Sequence, residues 1–138
     1  MRGRQIATGC ALALLAGCGG GGDGDSDESA GRPPAADLTV VVRKNPDDVG
    51  RRRTIRCTEL GPKASQGVCR SLAGLSRDQL APVPADTACT QIYGGPSVAS
   101  VKGTLDGRRV DASFELTNGC EIERWDRNRV LIGDPPGG

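Results

Sequence analysis

The stretch SVASVKGTLDGRRVDASFELTNG, residues 97–119, constrains this chain most. Asp106-Gly107 at its centre is the signature of a two-residue hairpin turn, which needs positive φ at both positions. Folding the chain there sets Leu105 opposite Arg108, Gly103 opposite Val110, Val101 opposite Ala112, Ala99 opposite Phe114 and Ser97 opposite Leu116. That face is mostly apolar. The other face pairs Thr104 with Arg109, Lys102 with Asp111, Ser100 with Ser113 and Val98 with Glu115, and it is polar, with one opposite-charge pair. Slipping the register by one residue would ruin both faces, so the register is well specified. A sheet built on this hairpin has to be covered on one side only.

The rest of the chain supplies more strands and a cover. Asp37–Lys44, DLTVVVRK, is β-branched and aliphatic and is bounded by NPDD. Arg51–Cys57, RRRTIRC, reads as its antiparallel partner. In Cys69–Leu80 the residues Leu72, Leu75 and Leu80 fall near one helical face, and Gly74 weakens that helix. Asn118–Arg127 reads as a second helix with Ile122 and Trp125 turned inward, and Arg129–Gly133, RVLIG, as a last strand. The expectation is an α+β domain: a five-stranded antiparallel sheet with two helices packed on one face, and two disulfides.

The disulfides follow from composition. One Trp, one Tyr and one Phe are a thin supply for the core of a 138-residue chain. Six cysteines are present. Cys10 and Cys18 lie in an N-terminal segment that reads as targeting: Arg2 and Arg4, then the apolar run Ile6–Gly17, too short to span a membrane. Its end, LLAGC, looks like a bacterial lipobox, so residues 1–17 are expected to be a lipoprotein signal peptide. Cys18 would then carry the lipid and anchor the protein to the outer face of the cell membrane, with plain secretion the alternative. Residues 18–36, rich in Gly and Asp, read as a flexible tether; residues 37–133 as the folded domain; residues 134–138 as a disordered tail. Cys57, Cys69, Cys89 and Cys120 remain. Four cysteines in an exported domain read as two disulfides, with three pairings open and the sequential one simplest.

Several function classes are disfavoured. The chain has no histidine, which removes Ser-His-Asp and Cys-His pairs and most zinc sites, so no enzyme activity, cofactor or metal is expected. A formal net charge of +1 argues against a general nucleic-acid binder. The basic run Arg51–Arg53 reads as solvated strand-end charge, since the acids Asp47 and Asp48 lie nearby and no aromatic interleaves it.

CTQIYGGP, Cys89–Pro96, holds the chain's one tyrosine and lies outside every expected element. An exposed loop fastened by a disulfide to a rigid sheet is a recognition device, because preorganisation lowers the entropy cost of binding. A protease cleft is built to accept such an extended strand. Tyr93 could equally pack in the core; Trp125 reads as core.

The ordered landmarks carry a resemblance. They are the LTV first strand, a cysteine ending the second strand, a helix after the second cysteine, a third cysteine with Tyr four residues on, a proline before the hairpin, and TNGCE at the fourth cysteine. Over about Leu38–Gly133 the chain resembles the subtilisin inhibitor-like family. The resemblance implies a five-stranded antiparallel sheet with two helices, sequential disulfides Cys57–Cys69 and Cys89–Cys120, inhibition of extracellular subtilisin-like serine proteases through a substrate-like loop, and a homodimer. It places the reactive bond between Gln91 and Ile92. Thr90, Tyr93 and Gly94 would contact the protease, and Asn118 would support the loop from below. Gln91 stands where the family often has Met, Leu, Lys or Arg. The alternative function is a non-inhibitory cell-envelope lipoprotein that uses the fold for binding or scaffolding.

Overall fold

The computed structural model describes residues 33–137; the expected signal peptide, the expected lipidation position Cys18 and most of the expected tether lie outside the described residues. Four strands form one antiparallel sheet: β1 (Ala36–Arg43), β2 (Arg51–Cys57), β3 (Val98–Leu105) and β4 (Arg108–Phe114). Their order is β2-β1-β3-β4. Four short helices accompany them: α1 (Gly67–Leu72), α2 (Arg77–Leu80), α3 (Gly119–Arg127) and α4 (Arg129–Ile132).

The hairpin forms in the register that the sequence dictates, from Leu105 opposite Arg108 to Ala99 opposite Phe114. Asp106 and Gly107 both take positive φ, +50° and +70°. Lys102 and Asp111 meet on the polar face at 3.2 Å. In the centre of the sheet β1 lies between β2 and β3, with Leu38 beside Ile55 and Gly103 and Val40 beside Val101. One face of this sheet is apolar. Against it pack Leu72 from α1, Trp125 from α3 and Leu131 and Ile132 from α4. Trp125 is fully buried, and its indole N–H donates to the Gly133 carbonyl at 3.0 Å.

Two expectations need correcting. The sheet has four strands, because Arg129–Ile132 is a helical turn instead of a strand. The Asn128 carbonyl accepts from the N–H groups of both Leu131 and Ile132. Leu131 and Ile132 are buried side by side, which one helical turn allows and a strand, with its alternating sides, does not. Second, the helix expected over Cys69–Leu80 is two short helices, α1 and α2; with α4 the domain has four helices where two were expected. The break falls at Gly74, and Ser76 starts a new turn whose backbone N–H is satisfied by the Gln79 side chain at 2.8 Å.

The disulfides pair sequentially, Cys57–Cys69 and Cys89–Cys120. The first lies in the core, with both cysteines buried. Residues 134–137 run back along the domain: Asp134 pairs with Arg129, and the Pro136 carbonyl accepts from the Ser97 hydroxyl.

Candidate functional site

Residues Cys89–Pro96 carry no regular secondary structure and cross the surface between α2 and β3. Thr90, Gln91, Ile92, Tyr93 and Gly94 are all exposed. Ile92 is 61% and Tyr93 64% exposed, in a protein with few exposed large apolar side chains among its described residues. Tyr93 is therefore not a core residue. Exposure of two adjacent apolar side chains costs stability unless a partner covers them.

The loop is held at both ends and left free in the middle. On the N-terminal side Cys89 is bonded to Cys120 in the first turn of α3. One residue later the Thr90 carbonyl accepts from the Gly119 N–H at 2.9 Å. On the C-terminal side the Gly94 N–H donates to the Leu116 carbonyl at 2.8 Å. Between these two anchors Gln91, Ile92 and Tyr93 make one polar contact among the described residues, from Gln91 Nε2 to the Cys89 carbonyl at 3.4 Å. The backbone around the Gln91–Ile92 bond is thus fixed on either side and open to solvent.

The glycines serve this arrangement. A Cβ on Gly119 would overlap the Thr90 hydroxyl. A Cβ on Gly94 would press on Ile122 at 3.0 Å and on Leu116 at 3.2 Å. Gly94 is therefore a close contact against α3, while Gly95 supplies the φ of +123° that turns the chain toward Pro96 and β3.

Asn118 acts one step away from the loop. Its side-chain Oδ1 accepts from the Glu121 N–H at 3.1 Å and caps α3. The cap fixes the start of the helix that carries Gly119 and Cys120. Its neighbours Leu116 and Gly119 make the direct bonds to the loop. Sequence reasoning missed Leu116, Gly119 and Ile122 as loop supports. The signal available was Gly119 itself, a poor helix former placed inside the first turn of a helix.

Helix α3 is locked in place by Arg124. Its buried guanidinium donates to the Ser113 carbonyl of β4 and the Leu80 carbonyl of α2, both at 2.8 Å, and to the Glu121 carboxylate at 3.1 Å. It also lies over the Phe114 ring, 4.3 Å from the centroid. Asn128 adds a bond from Nδ2 to the Gln79 carbonyl at 2.8 Å. The same helix therefore holds the segment entering the loop, the loop's N-terminal anchor and the Gly94 contact. Among the described residues no helix is long and apolar enough to cross a membrane.

No family model and no solved structure matches the chain. A protein similar to it is subtilisin inhibitor-like protein 1 of Streptomyces cacaoi, 36% identical over 80 residues, which cover 54% of this chain and 72% of that protein. With that identity over most of the relative's length, on a two-disulfide α+β domain, the chain belongs to the subtilisin inhibitor-like family.

Proposed function

We propose that the protein inhibits subtilisin-like serine proteases by offering Cys89–Pro96 as a near-substrate, with Gln91–Ile92 as the reactive bond. The relationship to subtilisin inhibitor-like protein 1 points to an inhibitor and away from an enzyme. The observation that carries the finer reading is the exposed Gln91–Tyr93 stretch between two backbone anchors, Thr90 to Gly119 and Gly94 to Leu116. Gln91 enters the protease's primary pocket, and Thr90, Ile92 and Tyr93 lie along the cleft.

The chemistry follows from that restraint. The protease serine attacks the Gln91 carbonyl, the Gln91–Ile92 peptide bond breaks, and the Ile92 nitrogen leaves as an amine with the proton it gains. An ordinary product would diffuse away. Here the Cys89–Cys120 bridge and the Gly94–Leu116 bond keep both new ends in the cleft. The amine returns to the acyl carbon faster than water arrives, and the bond reforms. Little entropy is lost on binding because the loop is already ordered, so dissociation is slow. A lipid on Cys18 would keep this activity at the outer face of the membrane.

The test is a titration of the full chain, both disulfides formed, against subtilisin, chymotrypsin, elastase and trypsin. We expect stoichiometric inhibition of at least one of them, with only slow cutting, confined to Gln91–Ile92 by mass spectrometry. Rapid cleavage of that bond without inhibition of any enzyme would end the proposal.

A further inference from the structure

We propose that the open edge of β2 is a docking site for an acidic, extended segment of a partner protein, which adds to the sheet as a further strand. β2 is an edge strand of seven residues. The Arg56 carbonyl is taken by the Gln66 side chain at 3.3 Å, so it faces away from β1. By the alternation of an antiparallel ladder, the N–H and C=O groups of Arg52 and Thr54 face outward too. Among the described residues no backbone group bonds to them from outside the sheet. Strand addition uses such a row of unpaired groups.

The strand itself carries only positive charge, and part of that charge is unpaired. Arg51 and Arg52 make no ion pair among the described residues, and Arg53 gives its guanidinium to the Leu131 carbonyl. Of the carboxylates nearby, Asp134 pairs with Arg129 and Asp37 with Arg56, while Asp47 and Asp48 sit in the turn before the strand and pair with none of its arginines. Alongside the strand runs a cleft of about 710 Å³ whose lining includes Val42, Val49, Ile132, Arg51 and Arg53. Val49 is 91% exposed.

These features choose between occupants. A second copy pairing edge to edge would set arginine-rich strand against arginine-rich strand, which like-charge repulsion disfavours. A nucleic acid could neutralise the arginines, but it would leave the outward N–H and C=O groups and the apolar cleft unused. An acidic strand satisfies all three. Its backbone pairs with Arg52 and Thr54, its carboxylates meet Arg52 on the face away from the cleft, and alternate apolar side chains enter the cleft beside Val49 and the stems of Arg51 and Arg53. This inference does not depend on whether the loop inhibits a protease.

The probe is a seven-residue peptide of alternating glutamate and valine, blocked at both ends and added to the full chain with both disulfides formed. We expect saturable binding that weakens as salt is raised, with shifts and slowed exchange at the amides of Arg52 and Thr54. The double variant Arg51→Glu/Arg52→Glu should bind roughly tenfold more weakly or worse, as loss of charge complementarity requires. Thr54→Pro, which removes an outward N–H at an edge position without changing charge, should also weaken binding, so the result does not rest on one variant. The proposal is overturned by an absence of saturation, by undiminished binding to both variants, or by unprotected Arg52 and Thr54 amides. Equal binding of the matching lysine–valine peptide or of a single-stranded oligothymidylate, or self-association of the chain through this edge, would overturn it as well.

Discussion

Gly119 lies directly beneath Thr90: its N–H donates to the Thr90 carbonyl at 2.9 Å, and a Cβ at position 119 would overlap the Thr90 hydroxyl. The N-terminal side of the loop therefore rests on a glycine because no other residue leaves room. Gly119→Ala should push Thr90 outward and weaken protease binding by about 1–3 kcal/mol, the usual cost of overpacking. Thr90→Ala removes the atom that clashes. The double variant should recover much of the loss, giving a coupling energy clearly different from zero in a double-mutant cycle of inhibition constants. Additive effects of the two substitutions would show that the contact does not set the loop.

The two disulfides should fail differently. They close loops of 31 and 12 residues. On the chain-entropy model, removing Cys89–Cys120 as a double alanine costs about 4 kcal/mol and removing Cys57–Cys69 about 3. The second figure is a minimum, because Cys57 and Cys69 are also buried core side chains. Urea denaturation gives both numbers. Loss of Cys89–Cys120 has a second consequence that stability does not report. The Gln91 end of a cut loop is then held by little more than the Thr90–Gly119 bond, so the protease should turn the protein over as a substrate. Continued inhibition without turnover would show that the backbone bonds alone suffice.

Arg124 should be among the costlier single positions. Its guanidinium satisfies the carbonyls of Ser113 and Leu80 and pairs with Glu121, whose side chain is mostly buried. Arg124→Met keeps the stem packed on Phe114 but strands the two carbonyls and the carboxylate. Leaving such partners unpaired in a low-dielectric site costs about 3–5 kcal/mol. Thermal or urea unfolding checks this; a change below about 1 kcal/mol would mean that water replaces the guanidinium without penalty.

The parts of the fold that were legible share one property: a local rule and the tertiary structure agree. Asp106-Gly107 demands a turn with positive φ at both residues, and the alternation of its arms leaves one register. β2 was read at its observed bounds because its basic start and its cysteine end both mark a strand edge. RVLIG misled because three of its residues, Val130, Leu131 and Ile132, are β-branched or aliphatic, and only packing decides between strand and turn. Burying Leu131 and Ile132 together beside Trp125 favoured the turn. At the candidate site an exposed, irregular loop could be argued from flanking Gly and Pro, but the outward turn of Tyr93, equally open to a core role, and the anchors could not. The Leu116 carbonyl and the Gly119 N–H are backbone groups, and no side-chain pattern announces which backbone group a distant loop will use.

Asp48 gives the protein a small acid-sensitive joint. Backbone N–H groups, that of Lys44 first and then that of Gly50, hold its carboxyl below the ordinary value of 3.8. A carboxyl with a depressed folded pKa binds fewer protons in the folded chain, so its contribution is fully present above the unfolded value and is lost as pH falls through the folded one. The turn joining β1 to β2 should loosen only below about pH 4. Following the Lys44 amide shift from pH 5 to pH 2 would locate the step, and Asp48→Asn should abolish it. A step in the wild type centred above 3.8 would contradict the reading.

Gln91 is where the choice of target can be separated from the competence of the loop. It is exposed, and its only polar contact among the described residues is the 3.4 Å bond to the Cys89 carbonyl two residues back, beyond the ideal length for such a bond. The supports of the loop, Gly119, Leu116, Ile122 and Cys120, do not touch its side chain through any hydrogen bond. Gln91→Lys should therefore leave stability within about 0.5 kcal/mol, as for a surface substitution away from structural features. If the backbone between the two anchors has the shape a serine protease accepts, a lysine at that point should meet the acidic pocket of trypsin and convert the protein into a trypsin inhibitor. The gain should be at least about a hundredfold in Ki, since a buried, hydrogen-bonded charge pair is worth several kcal/mol at an interface. Wild type that inhibits only enzymes with a neutral pocket, beside a lysine variant that inhibits trypsin, would assign specificity to residue 91 and rigidity to its neighbours. A lysine variant that trypsin cuts as fast as a free peptide would instead place the failure in the loop, and no residue at position 91 could then make it an inhibitor.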